Sequence, residues 1–167
     1  MKINELPRLE NLNKWFTFDE STGTLYWKVQ KANCVKVGSV VGHVNPRGYS
    51  IVKLDGVTVR LHRIVYKMYH GVEPEGELDH IDGDKLNNNP ENLRLASRHQ
   101  NNQNIKKKKN NTSGFKNVYW VPKIKKWSVT IKAFGKIYRF GAYLNIEDAA
   151  KVAETQREIL HREFANG

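Results

Sequence analysis

The segment ELDHIDGDKLNNNPENLRLASRHQNNQN, residues 77–104, leaves few choices of local fold. Leu78 closes a short extended run, with Asp79-His80 at its end. Gly83 permits a tight turn, and Asn87, Asn88, Asn89 and Pro90 are turn formers. Leu93 and Leu95 then alternate with Arg94, the period of a short strand. Ser97-Arg98-His99-Gln100 follows, with Ser at an N-cap and Gln three positions on, the capping box of a helix. The order is strand, long polar loop, strand, helix. Pairing the second strand back on the first would bring Asp79 and His80 near Asn101 in the first turn of that helix.

The rest of the chain supports this segment or extends it. With 167 residues, of which 39% are apolar, two or three small modules fit better than one large core. The formal net charge of +11 favours an anionic partner, nucleic acid or an anionic membrane. No apolar run approaches the length of a membrane span, and the start MKINELPRLE lacks the apolar region of a signal peptide. A single cysteine, Cys34, excludes an internal disulfide and a multi-cysteine zinc site. These features point to a cytoplasmic protein with nucleic acid as its partner, no membrane and no disulfide partner.

Residues 1–10 read as a weakly held leader. From Lys14, WFTF and TLYWK flank the turn formers Asp19 to Gly23 as a hairpin. VGSVVGHV (37–44), YSIVKL (49–54) and VTVRL (57–61) read as further strands, the last two joined at Asp55-Gly56. Residues 12–61 thus form a small antiparallel sheet. Leu61, Ile64, Val65 and Met68 then follow a helical period, so a helix is expected from about 62 to 70, ending at Gly71. His62 near its start reads as a structural histidine bonded to local backbone.

A carboxylate and an amide oxygen are hard ligands suited to Mg²⁺ or Mn²⁺, and two protein ligands leave positions for water and phosphate. A neutral histidine beside them can take a proton from an attacking water near neutral pH. Either element alone is common, and spacing alone does not distinguish a site from a turn.

The run L-D-H-I-D-G-D-K-x-N-N-x-x-x-N-L-R, with L-H-R-I-V-Y upstream, resembles the HNH endonuclease motif in the form found in phage and intron homing endonucleases. The resemblance covers 60–104 closely and 12–60 loosely. It implies a ββα-metal fold that hydrolyses DNA phosphodiesters, leaving 5′-phosphate and 3′-hydroxyl ends. It makes His80 the general base and Asp79 a metal ligand. Asn92 would hold the loop and orient His80. Asn101, the amide that the family spacing selects over Asn102 and Asn104, would be the second ligand of one Mg²⁺ or Mn²⁺ per site. His99 reads as solvent-facing or phosphate-contacting.

From Asn92 to Ile146 there is no acidic residue. Arg94, Arg98, Lys106, Lys107, Lys108 and Lys109 follow the Asp-His pair, and IKKKKNNTSG (105–114) has linker composition. It fits a solvated tether or a segment that tracks a phosphate backbone. KNVYWV (116–121), KWSVTIKA (126–133) and KIYRFGAY (136–143) read as strands, and 146–164 as an amphipathic helix with Ile146, Ala149, Ala150, Ala153, Ile159 and Leu160 on its apolar face. This part is similar to the DNA-binding domain of plant ethylene-response factors (the ERF type), over about 112–164. The resemblance implies a sheet laid in the major groove of DNA, backed by the helix. Lys116, Tyr119, Lys126, Lys132 and Arg139 would reach DNA. Both core packing and DNA contact fit Trp120 and Trp127.

The fold class expected is α+β: residues 1–60 an N-terminal β-rich scaffold, 61–104 the nuclease core, 105–113 a basic linker and 114–167 a three-stranded sheet on one helix. The function expected is a site-specific DNA endonuclease of the homing type acting on double-stranded DNA, as a monomer. The alternatives are a DNA-binding regulator that does not cut and an RNA-binding protein.

Overall fold

A computed structural model describes residues 5–104 and 111–165, Glu163 by its backbone alone. The fold is α+β, built from two compact units that divide between Leu95 and Ala96.

The first unit opens with helix α1 (Leu9–Trp15) and the hairpin β1 (Phe16–Asp19) and β2 (Thr24–Trp27). A second sheet has the order β3 (His43–Val44), β4 (Ser50–Leu54), β5 (Val57–Arg60). Helix α2 (Leu61–His70) follows directly and buries Leu61, Ile64 and Val65. It ends where Gly71 takes the left-handed conformation, φ 74°, a geometry that costs glycine nothing. Then β6 (Glu77–His80) pairs with β7 (Leu93–Ala96) across a long loop.

One hydrophobic core serves this whole unit. Leu12 of α1, Phe16 and Leu25 of the hairpin, Val52 and Val59 of the second sheet, Ile64 and Val65 of α2, and Leu78 and Leu93 of β6 and β7 all belong to it. The N-terminal scaffold and the strands β6 and β7 are therefore a single packing unit.

Two expectations are corrected here. The presumed leader is instead held: Leu6 is buried and α1 begins at Leu9, because Leu6 and Leu12 supply apolar surface that the small core needs. The strand expected over 37–44 is reduced to His43–Val44 plus an isolated bridge from Val40 to Tyr26. Val37, Val40 and Val44 are exposed there, so their apolar character reflects no burial.

The second unit begins with α3 (Arg98–Gln103), whose Ser97 N-cap and Gln100 complete the expected capping box. Strands β8 (Val118–Val121), β9 (Lys126–Ala133) and β10 (Lys136–Tyr143) form an antiparallel sheet in the order β10-β9-β8. Helix α4 (Ile146–His161) covers it through Ala149 and Ala153, with Val118 and Val129 beneath. The apolar face of α4 differs from the one expected. Ile159 is 62% exposed, and the buried row continues as Arg157 and His161. Those two polar groups are tolerated because they meet backbone carbonyls: Arg157 Nη1 donates to Lys116 O, and His161 Nε2 bonds Lys132 O. Ser113, expected in the linker, is buried, and its Oγ donates to Val118 O. No helix among the described residues is long and apolar enough to cross a membrane.

Leu12 is fully buried, so Leu12→Ala is expected to destabilise the first unit by about 2–5 kcal/mol, read from urea unfolding. A loss of only a few tenths would show that α1 is an appendage.

Candidate active site and nucleic-acid interface

Asp79 and His80 close strand β6, both about 95% removed from solvent. The loop that follows is built from side-chain hydrogen bonds, with apolar packing playing little part. Asp82 Oδ1 accepts from the Asp84 backbone and from Asn92 Nδ2, and Asp82 Oδ2 accepts from Asn87 Nδ2. Asn92 Nδ2 also donates to Asn87 O, and its Oδ1 accepts from the Asp82 backbone at 3.1 Å. Asn92 thus ties both ends of the loop to its middle.

The bond at the histidine ring comes from another residue. His80 Nε2 lies 3.2 Å from Asn88 Oδ1, in a buried position. A donor at Nε2 fits that oxygen, and the tautomer with its proton there puts the lone pair on Nδ1. Asn88 is held in turn from the far side. Asn89 Nδ2 donates to Ser21 O in the β1–β2 turn. At Gly23 of that turn, a Cβ would meet Asn88 O at 2.0 Å. The hairpin turn therefore presses directly on the backbone that carries Asn88, and only glycine permits the approach.

Two further rings pack on His80. His62 lies edge-on at 5.0 Å between centroids and 85° between planes, and Tyr49 stands 5.6 Å from His62 and 6.3 Å from His80. His62 was expected only to satisfy local backbone; instead it is a wall of the site. Burial pushes its pKa well below the ordinary imidazole range, helped by neighbouring His80 and by the Arg60 and Arg63 charges. Burial also pushes His80 down, against the raising pull of Asn88 and of Asp82, Asp79 and Asp84. Both shifts favour the neutral ring.

Arg94, expected on DNA, donates from Nε and Nη2 to Asp79 Oδ2 at 3.0 and 2.8 Å. Its guanidinium is engaged inside the protein because a buried carboxylate needs a charged partner. Asp79 is the kind of hard oxygen donor that Mg²⁺ or Mn²⁺ takes, and an asparagine amide completes such a set. Asn101 lies on α3, in the second unit, with Asn102 exposed and Asn104 buried beside it. Among the described residues no three His, Cys, Asp or Glu side chains stand together. Arg98 and His99 are exposed in the first turn of α3; Lys106, Lys107, Lys108 and Lys109 lie outside the described residues.

The strand register sorts the residues expected at DNA. Val118 faces Val129, and Trp120 faces Trp127, so these four point towards α4. Tyr119 faces Ser128, Val121 faces Lys126, Arg139 faces Thr130 and Ile137 faces Lys132. Tyr119, Lys126, Lys132 and Arg139 therefore share the sheet face turned away from the helix, and the Tyr119 hydroxyl bonds Thr130 Oγ1. Trp127 packs on the core, while Trp120, on the same side, meets it at a tilt of 60° and stays 43% exposed. Lys116 does not join the open face. It is half-buried near Arg157, its Nζ donates to Gln103 O, and burial followed by the Arg157 charge lowers its pKa to about 8.

A ββ-loop closed by asparagines over an Asp-His pair is the arrangement of an HNH nuclease, and residues 59–103 match the family described as HNH endonuclease. The chain is also 40% identical over 107 residues to Protein 3.8 of Escherichia phage T7, across 64% of this chain and 88% of that protein. It belongs to the same family as that phage protein. No solved structure matches the chain.

An imidazole whose folded pKa lies below its unfolded value of 6.5 binds protons preferentially in the unfolded chain. Stability is then full above that value and falls as the pH drops through and below it. The urea midpoint is expected to be lower at pH 5 than at pH 7.5, and His62→Phe to shrink that difference. An unchanged pH dependence in the variant would remove His62 as a source.

Proposed function

We propose that the protein is a divalent-metal-dependent DNA endonuclease of the homing type, with His80 as general base. The observation that carries this reading is the bond from His80 Nε2 to Asn88 Oδ1. It leaves Nδ1 as the basic nitrogen, on a ring kept neutral by burial. Nδ1 takes the proton of the attacking water. Asn92 keeps the loop closed around the base, and Arg94 orients the Asp79 carboxylate. Asp79 and Asn101 would hold one Mg²⁺ or Mn²⁺, which supplies charge to offset the developing negative charge on the phosphate and the leaving oxygen. Each chain carries one such base, so a monomer nicks and a dimer cuts both strands.

The second unit serves as an ERF-like DNA-binding module. Its open sheet face offers Tyr119, Lys126, Lys132 and Arg139, and the major groove admits a β-sheet ribbon. Basic groups there contact phosphate and hold the register of the complex, and Arg98 and the lysines of 106–109 add positive charge to the same chain. Joining two weak modules in one chain raises the effective concentration of each on the same duplex.

The test is incubation of supercoiled plasmid carrying native flanking DNA with the full chain and Mg²⁺. Open-circle product is expected, abolished by EDTA and reduced about 10²–10⁴-fold by His80→Ala, with gel-shift binding retained. Binding without product in either Mg²⁺ or Mn²⁺ would favour a DNA-binding regulator that does not cut.

A further inference from the structure

Two cations beside the site have no part in the mechanism above. Arg60, the last residue of β5, sets Cζ 4.3 Å from the centre of the Tyr49 ring. Lys85, in the active-site loop, sets Nζ 4.6 Å from the same centre and donates to Arg47 O. The Tyr49 ring is the one that packs near His62 and His80. Among the described residues neither Arg60 nor Lys85 forms an ion pair, although other surface cations here do.

Each cation sits at the Tyr49 ring, whose π electrons attract it. The arrangement is stable as built because every backbone in it is fixed for other reasons. Arg60 is paired with Ile51 across the sheet. Tyr49 is locked in its turn, since its N–H donates to Asn45 Oδ1 and its O accepts from the Asn45 N–H. Lys85 hangs from the loop that Asp82, Asn87 and Asn92 hold. The result is a preorganised pair of cations, one a planar fork and one a point charge, both suited to an anionic oxygen.

We propose that Arg60 and Lys85, gathered on Tyr49, form a binding site for a backbone phosphate of the nucleic acid close to the one cut at His80. Phosphates recur about every 3.4 Å of axis on each strand, so cations this close to the base meet phosphates within a few nucleotides of the cut. The site fixes the strand where the chemistry needs it, whereas the C-terminal sheet binds at the second unit. It rests on the reading of His80 as base only for which phosphate is meant.

The experiment measures binding of a short fluorescent duplex to the full chain in EDTA, across a salt series, so that cleavage plays no part. For Arg60→Gln/Lys85→Gln the slope of log affinity against log salt is expected to become shallower by about 0.9, the value of one phosphate contact, with affinity several-fold weaker. Lys14→Gln/Lys36→Gln removes two exposed charges elsewhere in the unit and is expected to leave the slope unchanged. Lys85→Gln alone lies on an exposed loop and gives a partial shift even if the double variant folds poorly. An unchanged slope in the Arg60 and Lys85 variants overturns the proposal, as does an equal shift in the control pair or a wild-type chain that does not bind the duplex. A protein that binds this way but never cuts refutes the endonuclease reading and leaves the phosphate site standing.

Discussion

The hydrogen bond between His80 and Asn88 is the contact on which the rest of the site depends. It fits the tautomer with the proton on Nε2, and it depends on where Asn88 is held. The loop that holds Asn88 has little apolar content with which to do so. Its order comes from Asp82, Asn87 and Asn92 bonding to one another and to backbone. These bonds lie at exposed positions, so each contributes modestly and the loop is held by their number. Outside support comes from the β1–β2 turn, where Gly23 lets the backbone touch Asn88 and Ser21 O accepts from Asn89.

This dependence explains why the N-terminal part cannot be separated from the catalytic strands. A ββ-loop of this size has almost no core of its own, and Leu78 and Leu93 find theirs among residues from α1, the hairpin, the second sheet and α2. The same packing brings His62 and Tyr49 against His80. Scaffold residues thus set the ring's plane, its solvent exposure and its charge state together. In the second unit, by contrast, one helix on one sheet gives a self-contained small core and leaves the opposite sheet face open.

Much of this was legible in the chain. The strand, loop, strand and capped helix over 77–104 could be read because glycine, asparagine and the Ser-to-Gln spacing act locally. Strands β9 and β10 match their expected bounds for the same reason: alternation is clean and the turns are marked. Asn88 could not be singled out, since in a run of three asparagines nothing in sequence says which one faces the ring. His62 and Tyr49 were missed as partners of His80 because ring contacts across elements depend on tertiary packing. Arg94 reads as a DNA contact in a basic stretch, but it is claimed by a buried carboxylate fifteen positions earlier, which no local pattern reveals. Ile159 misled in the opposite direction, as an apolar residue on a helix whose buried row continues through Arg157 and His161.

The central claim is that His80 is a neutral imidazole protonated on Nε2, with Nδ1 left as the base. Long-range ¹H–¹⁵N correlation of the full-length protein at neutral pH reads both ring nitrogens directly. The account requires a neutral ring with the proton on Nε2, and a shift in the tautomer signature when Asn88 is replaced by alanine. A ring protonated on both nitrogens, or a proton held on Nδ1, would contradict it.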